Sequence, residues 1–277
     1  MGKTLKKTCI HGSKKPFFML KGISINHQQL RDINTFSSVT PEFEFKFAEI
    51  RPSPHTWRFE KADRVYQYAL AHSKQIRGNC LVWHQGLPDW LQELSVFELR
   101  KVLKDYIYTV VGRYSQVEEW DVVNEAIADN GSLRPSVWNS IPNLFEKAFL
   151  WTHEANPYAR LYWNDYRPCV TPKWDKTLQV IDELRDIAIP IHGVGIQHHY
   201  HLRRFLVEKI TNWVSTRSLV EQIKHRSLRV AFTEVSVLDD IGMPWLKDKA
   251  LEELYAIAQE LDVSSFTLWH CCESFRR

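Results

Sequence analysis

Residues 120–125 read Trp-Asp-Val-Val-Asn-Glu, a short aromatic and β-branched run that ends on two polar side chains. Residues 230–234, Val-Ala-Phe-Thr-Glu, have the same form. Short apolar runs of this kind are typical of strands that a parallel sheet buries on both faces. Both runs end on a glutamate, so each predicts a carboxylate at the point where the core gives way to a loop.

Eight such runs alternate with longer amphipathic segments from one end of the chain to the other. This alternation is typical of repeated βα units, and eight of them predict a closed (β/α)₈ TIM barrel of the α/β class. The predicted strands are Phe17–Ile25, Thr35–Val39, Gln75–Trp83, Val117–Asn124, Arg160–Asn164, Gly193–His199, Arg229–Val235 and Val263–Trp269. The predicted helices are Glu60–His72, Val96–Tyr114, Ser136–Ala155, Thr171–Ala188, Thr211–His225 and Trp245–Leu261.

The 277 residues are predicted to form one domain, because such barrels have about 250 residues and no linker or repeat divides this chain. Residues 16–277 are assigned to the barrel, and residues 1–15, which contain five lysines, to a basic solvated tail. Only Cys271–Arg277 follow the eighth predicted strand. We therefore expect an eighth helix that is missing or truncated.

The net charge and the cysteines indicate which partners and cofactors to expect. The 36 lysines and arginines and 33 aspartates and glutamates give a formal net charge of +3, so neither nucleic acid nor an anionic membrane is expected as a partner. The 5 cysteines form no CxxC pair, which favours free thiols over zinc or redox chemistry. No cofactor or metal is expected. The N-terminus lacks the apolar run of a secretory signal, which favours a cytoplasmic location.

Glu125 and Glu234 are the residues with the clearest chemistry. They end the fourth and seventh predicted strands, which lie nearly opposite each other in a barrel of eight. One such glutamate is as often a solvated strand end, but two provide the pair of carboxyl groups that glycoside hydrolysis requires. One protonates the leaving oxygen, and the other attacks the anomeric carbon or activates water. Retaining and inverting mechanisms both stay open here, because the separation of the carboxyl groups decides between them.

Seven segments, in order and spacing and over nearly the whole chain, resemble the family 10 glycoside hydrolases, the endo-β-1,4-xylanases. They are Phe-Ser-Ser-Val-Thr-Pro-Glu (36–42) with Lys46, Arg-Gly-Asn-Cys-Leu-Val-Trp-His (77–84), Trp-Asp-Val-Val-Asn-Glu-Ala (120–126), Asn-Asp-Tyr (164–166), Gly-Val-Gly-Ile-Gln-His-His (193–199), Phe-Thr-Glu (232–234) and Thr-Leu-Trp (267–269). Each short motif is weak alone. Together, they stand in register at the ends of predicted strands two to eight.

The resemblance implies a retaining mechanism with Glu125 as general acid/base and Glu234 as nucleophile. It also implies that Asn124 hydrogen-bonds the sugar 2-hydroxyl and that Trp83 and Trp269 are stacking walls for the sugar ring. The implied substrate is xylan or a related β-linked oligosaccharide or polysaccharide. Members of such a family meet their polymer outside the cell, so the resemblance suggests secretion where the sequence itself does not.

The other substrate contacts that the resemblance implies all lie in or beside the matching segments: Glu42, Lys46, Asn79, His84, Tyr166, Gln197 and His199. Glu42 and Lys46 match positions that contact sugar hydroxyls on the glycone side. Gln197 and His199 match the pair that surrounds the nucleophile.

Three residues depart from the family pattern. Phe43 stands where asparagine is usual, and an apolar ring cannot supply the hydrogen bonds of an amide. Asn79 stands where histidine is usual. Ser236 replaces an aspartate two residues after the nucleophile, which is expected to cost His199 its carboxylate partner and to loosen its orientation. These departures predict altered glycone recognition and weak xylanase activity.

Two other functions compete with a glycosidase. A barrel that keeps the cleft but has lost useful catalysis would be a carbohydrate-binding protein, although that role gives no physical reason to hold two facing carboxylates. A metal-dependent hydrolase is suggested by His198, His199 and His201, but neighbouring residues of a strand point to opposite faces. A phosphate-binding site is not expected, because the sequence has no Gly-rich loop before a helix in the required pattern. The oligomeric state stays open.

Overall fold

The barrel is present, and the computed structural model describes it for residues 19–30 and 33–269. Its strands are β1 (Leu20–Ile25), β2 (Ser38–Pro41), β3 (Gln75–Trp83), β4 (Glu119–Asn124), β5 (Arg160–Tyr166), β6 (Gly193–His201), β7 (Arg229–Leu238) and β8 (Ser265–Leu268). All neighbouring strands are parallel, in the order of the chain, and β8 pairs with β1 to close the barrel. The predicted fold class is therefore confirmed.

Helices connect the strands around the outside. They are α1 (Phe47–Ile50), α2 (Glu60–Ala71), α3 (Val96–Arg113), α4 (Leu144–Ala155), α5 (Thr171–Asp186), α6 (Leu202–His225) and α7 (Pro244–Glu260), with 3₁₀ turns at Asp89–Glu93 and Val137–Ser140. Local sequence fixes several helix starts. Ser95 and Glu98 form a capping box at the start of α3, and Pro172 lies in the first turn of α5.

Two predicted helices were wrong in extent. The predicted helix Ser136–Ala155 is a 3₁₀ turn followed by α4, because Pro142 disfavours helical backbone before it and Asn143 takes a left-handed φ of 54°. The predicted helix Thr211–His225 begins earlier, at Leu202. Exposed Val207 and Ile210 place apolar side chains on the solvent face of α6, which hides the helical period.

The second strand was also misplaced. Thr35–Val39 was predicted, whereas β2 runs from Ser38 to Pro41 and pairs with β1 from Gly22 to Ile25. All four residues of β2 are buried, so the run has no alternation that would mark its ends. The predicted tail 1–15, the first residues of predicted strand one and the expected short C-terminus 271–277 lie outside the described residues. Among the helices that the structure describes, none is long and apolar enough to cross a membrane.

The strands bury large aromatic side chains on their outer face, against the helices, and ion pairs on their inner face. Trp120 and Trp163 are fully buried, and Trp163 packs against Phe145 of α4. Arg77 contacts Glu119 at 2.7 Å and also pairs with Asp121, and all three side chains are nearly inaccessible. Buried ion pairs of this kind are destabilising unless their hydrogen bonds are satisfied, as they are here. This charged layer lies beneath the carboxyl ends of the strands. In barrels of this kind, the active site lies at those carboxyl ends.

Candidate active site

A cavity of about 290 Å³ lies at the carboxyl ends of the strands and brings most of the predicted site residues together. Its lining residues are Glu42, Phe43, Lys46, Ala48, Glu49, Trp83, Gly86, Asn124, Glu125, Glu234 and Trp269. The two predicted catalytic carboxylates thus lie in one cavity although 109 positions separate them in sequence (234 − 125). Glu125 and Glu234 become neighbours because the strands close into a barrel. No local sequence pattern encodes that closure.

Glu125 is held by its backbone and by two side chains. It follows β4 with a left-handed φ of 51°, and its amide donates to the Asn164 carbonyl at 2.8 Å. Such backbone costs a non-glycine residue about 1–3 kcal/mol and often marks functional positions. Its Oε2 accepts from the Trp83 indole Nε1 at 3.1 Å, and its Oε1 from Gln197 Nε2 at 3.2 Å. Trp83, expected only as a stacking wall, therefore also orients the carboxyl group.

Glu234 is far more enclosed. It is 7% exposed, and its Oε1 accepts from Asn164 Nδ2 at 3.1 Å and from Asn79 Nδ2 at 3.3 Å. Burial opposes ionisation, but hydrogen bonds from His199 and Asn164 and the positive charge of Lys46 outweigh it and hold the pKa of Glu234 below its usual range. The carboxylate is therefore kept in its ionised form, as a nucleophile requires.

The expected loosening of His199 was wrong. Its Nδ1 lies 2.8 Å from the Ser236 hydroxyl and its Nε2 lies 3.1 Å from Oε2 of Glu234. Since an ionised Glu234 can only accept, Nε2 carries the hydrogen of that contact, and Nδ1 shares a second hydrogen bond with the Ser236 hydroxyl. The hydroxyl thus replaces the aspartate as the second contact that fixes the ring.

An amide network links the two carboxylates. Gln197 donates to Oδ1 of Asn124 at 3.3 Å as well as to Glu125, and Asn164 donates to the same Oδ1 at 2.8 Å as well as to Glu234. Asn124 Oδ1 is therefore occupied, whereas its amide nitrogen makes no hydrogen bond within the described chain. That nitrogen is the group of Asn124 that can donate to a sugar hydroxyl.

Lys46 brings a positive charge to the cavity floor. Its ammonium donates to Oδ1 of Asn79 and lies 4.9 Å from the centroid of the Trp83 ring. A cation over an indole face is attracted by the ring quadrupole. Lys46 therefore helps to hold Trp83 in place and also favours the ionised form of Glu234.

Asn79 lies beneath the cavity and is not exposed to it. It is 0% exposed, and its Nδ2 donates to Oδ2 of Asp121 at 2.9 Å and to Glu234, while its oxygen accepts from Lys46. Asn79 was predicted as a substrate contact, but the structure places its amide among protein groups. It connects the buried Arg77–Asp121 ion pair with the candidate nucleophile.

Two other predicted contacts lie beside the cavity. His84 follows Trp83 but lines a small separate depression with Arg134 and Trp138, where burial, with the positive charge of Arg134, lowers its pKa to about 4. Tyr166 lines a second cavity together with His199 and with Gln197, which donates to Glu125.

A buried charged cluster next to Tyr166 was not predicted. Lys173 is 0% exposed, and its ammonium lies 3.0 Å from Asp165, 3.2 Å from Asp129 and 3.3 Å from the centroid of the Tyr166 ring. Burial raises the pKa of Asp165 to about 7 in spite of Lys173. The only signal in the sequence was Asp165 at a strand end, since a lysine in the first turn of a helix is usually solvated.

Metal ligation finds no support in this part of the chain. In residues 19–30 and 33–269, no three His, Cys, Asp or Glu side chains are grouped so that they could hold a metal ion. His198 is buried, and His199 points into the site. The two histidines thus lie on opposite faces of β6, as the strand period predicts.

The chain is similar in sequence to known hydrolases. The family model described as glycosyl hydrolase family 10 matches residues 13–273. The beta-1,4-xylanase of Dictyoglomus thermophilum is 38% identical over 194 residues, which cover 68% of this chain and 53% of that protein. Endo-1,4-beta-xylanase B of Paenibacillus barcinonensis is 31% identical over 264 residues, which cover 87% of this chain and 78% of that protein.

The fold is similar to solved structures as well. The crystal structure of xylanase 10B from Thermotoga petrophila RKU-1 in complex with xylobiose superposes with a TM-score of 0.80 and 31% identity. The match covers 91% of this chain and 82% of that one. The chain spans about half of the length of the Dictyoglomus relative and more of the other two.

Proposed function

The chain belongs to glycosyl hydrolase family 10, and on that premise we propose that it is a retaining glycoside hydrolase that cleaves β-1,4-linked xylan or a related β-glycoside. Glu125 is the general acid/base and Glu234 the nucleophile. The observation that carries this assignment is the unequal environment of two carboxylates in one cavity. Glu234 is enclosed by donors that keep it ionised, and Glu125 is partly exposed beside Trp83 and Gln197.

In the first step, an oxygen of Glu234 attacks the anomeric carbon while Glu125 gives its proton to the leaving glycosidic oxygen. The C–O bond to the leaving sugar breaks, and a covalent glycosyl ester of Glu234 forms. Asn124 supports this step because its uncommitted amide nitrogen can donate to a hydroxyl of the bound sugar. Hydrogen bonds that strengthen as charge develops lower the barrier.

In the second step, Glu125 is ionised and takes a proton from water, whose oxygen attacks the anomeric carbon from the face that the leaving sugar vacated. The ester bond breaks and Glu234 returns to its carboxylate form. His199 and Asn164 then stabilise the departing carboxylate through hydrogen bonds to its two oxygens. Two displacements at the same carbon retain the β configuration.

Xylan is the proposed substrate because the relatives named above are xylanases and one of their structures holds xylobiose. The cavity gives one reason for an altered preference. Phe43, 42% exposed, lines the glycone end beside Lys46, where it offers an apolar surface and no hydrogen bond. Recognition at that end therefore rests on Glu42 and Lys46.

The second candidate function is a carbohydrate-binding protein without catalysis. Phe43 favours it, because its ring offers the glycone end no hydrogen bond. The donors gathered on Glu234 oppose it, because binding alone does not need an ionised carboxylate in the cavity. Hydrolysis of an aryl β-xylobioside beside an aryl β-cellobioside, by the native protein and by Glu125→Ala and Glu234→Ala at equal folded concentration, separates the two. Release that Glu234→Ala abolishes supports the enzyme, and silence with retained sugar binding supports the binding protein.

A further inference from the structure

A small cavity of about 10 Å³ lies beside the catalytic site, at the carboxyl ends of β3 and β4. Trp83 and Asn124 line both this cavity and the catalytic one, so the two share a wall. The opposite wall comes from the segment that follows β4 and includes Arg134 and Trp138. A volume of about 10–15 Å³ holds one particle of the size of a water molecule. The cavity therefore has room for one water molecule or one monoatomic ion and excludes a sugar unit.

Arg134 brings a positive charge without a counter-ion to this cavity. In the part of the chain that the structure describes, its Nε is buried without a hydrogen-bond partner, and its guanidinium forms no salt bridge. The guanidinium lies 5.1 Å from the centroid of the Tyr166 ring, which carries no opposite charge. The charge of Arg134 also acts on Asp165, but Lys173 holds that carboxylate at 3.0 Å. Since buried charges in proteins are normally paired, Arg134 lacks a partner that an anion would supply.

Two further nitrogen atoms of the lining are buried and make no hydrogen bond among residues 19–30 and 33–269. They are Nε1 of Trp138, which is 1% exposed, and Nδ1 of His84. An indole nitrogen can only donate, and a neutral imidazole can carry its hydrogen on Nδ1. Burial, together with the positive charges of Arg134 and Lys173, lowers the pKa of His84 to about 4, so the ring is neutral at neutral pH. No carboxylate lines the cavity, which therefore offers donors and a positive charge.

We propose that this cavity binds one monoatomic anion, a halide such as chloride, which pairs with Arg134 and accepts hydrogen bonds from Trp138 and His84. A halide ion only accepts hydrogen bonds, so it suits a lining of donors, and it satisfies buried groups that otherwise have no partner. Carboxylate and phosphate groups are too large for the volume. The anion neutralises the charge next to the end of β4, from which Glu125 follows. The inference does not depend on the proposed function.

The first test measures the melting temperature at constant ionic strength while sodium gluconate, whose anion is too large for the cavity, is replaced by sodium chloride or bromide. We expect a saturable rise of roughly 3 °C, the effect of a tenfold excess of ligand over its Kd on a protein of this size. Arg134→Gln and Trp138→Phe should remove the rise. Two matched controls lie outside the lining and should keep it: Arg167→Gln, at an arginine that pairs with Asp129, and Trp90→Phe, at another buried indole without a partner.

The second test locates the ion. Bromide scatters X-rays anomalously, and a crystal of the native protein soaked in sodium bromide should show an anomalous peak between Arg134 and Trp138. No peak at that position would overturn the inference and leave a water molecule as the occupant. An equal rise in melting temperature in Arg134→Gln and Arg167→Gln would also overturn it, because the rise would then reflect general screening of charge. Neither test measures hydrolysis, so a failure of the proposed function would leave both unaffected.

Discussion

His199 Nε2 lies 3.1 Å from Oε2 of Glu234, and the ring is fixed from its other side by Ser236. This contact is one of the main reasons why a carboxylate as buried as Glu234 stays ionised. Burial favours the protonated acid, so loss of the hydrogen bond would raise the pKa of Glu234. A protonated Glu234 cannot act as a nucleophile, so the contact links the geometry of the site to the pH at which it works.

Replacement of His199 by alanine should shift the acid limb of the kcat/KM profile to higher pH. The pKa of Glu234 is lowered in the native protein, so the ionised form persists as the pH falls, and loss of His199 raises the pKa. At mildly acid pH we expect kcat/KM to fall about tenfold, the value of one hydrogen bond to a charged group. Ser236→Ala, which only frees the ring, should give a smaller shift in the same direction. An unchanged acid limb in both variants would contradict this account.

Trp83→Phe should weaken proton donation by Glu125, because it removes the indole N–H that contacts Oε2 and keeps an aromatic ring. We expect kcat/KM to fall about tenfold for an alkyl or sugar leaving group. The loss should nearly vanish for a dinitrophenyl leaving group, which departs without a proton. Trp90→Phe is the matched control, since its indole nitrogen is buried without a partner and lies outside the cavity. Equal losses with both leaving groups would show that Trp83 acts only through sugar binding.

Asn79→Asp should reduce activity more severely than either change above. The new carboxyl group would face Asp121 and Glu234 in place of an amide that donates to both. Three carboxylates around one buried point repel each other and raise the pKa of the nucleophile. We expect kcat/KM to fall by two orders of magnitude or more, roughly the value of two charge-assisted hydrogen bonds. The pH profile and thermal melting measure the effect, and near-native activity with a native melting temperature would refute the role given to Asn79.

Lys173→Met should destabilise the protein through the buried cluster beside Tyr166. The change leaves Asp165 without its buried cation, and breaking such a pair costs about 3–5 kcal/mol of unfolding free energy. Urea denaturation measures the loss. The double variant Lys173→Met with Asp165→Asn, which removes both charges, should recover part of it. If the double variant is no more stable than the single one, the ion pair does not stabilise the fold.

Residues with local signals were well predicted. Gln75–Trp83 was placed to the residue, and Glu125 and Glu234, which stood out as carboxylates at predicted strand ends, lie in one cavity. The features that the sequence did not predict depend on contacts between residues far apart in the chain. That Ser236 fixes His199 follows from the register of β6 on β7. The burial of Lys173 depends on Asp129 and Asp165, and neither relation leaves a pattern along the chain.

The central claim is that Glu234 forms a covalent glycosyl ester that Glu125 helps to hydrolyse. Proton NMR of the new reducing end on the glycone product from a β-xyloside or xylo-oligosaccharide, recorded before the anomers equilibrate, tests it most directly. We expect the β anomer to appear first, because two displacements restore the starting configuration. The α anomer as the first product would mean that water attacks directly, and Glu234 would then be a general base instead of the nucleophile.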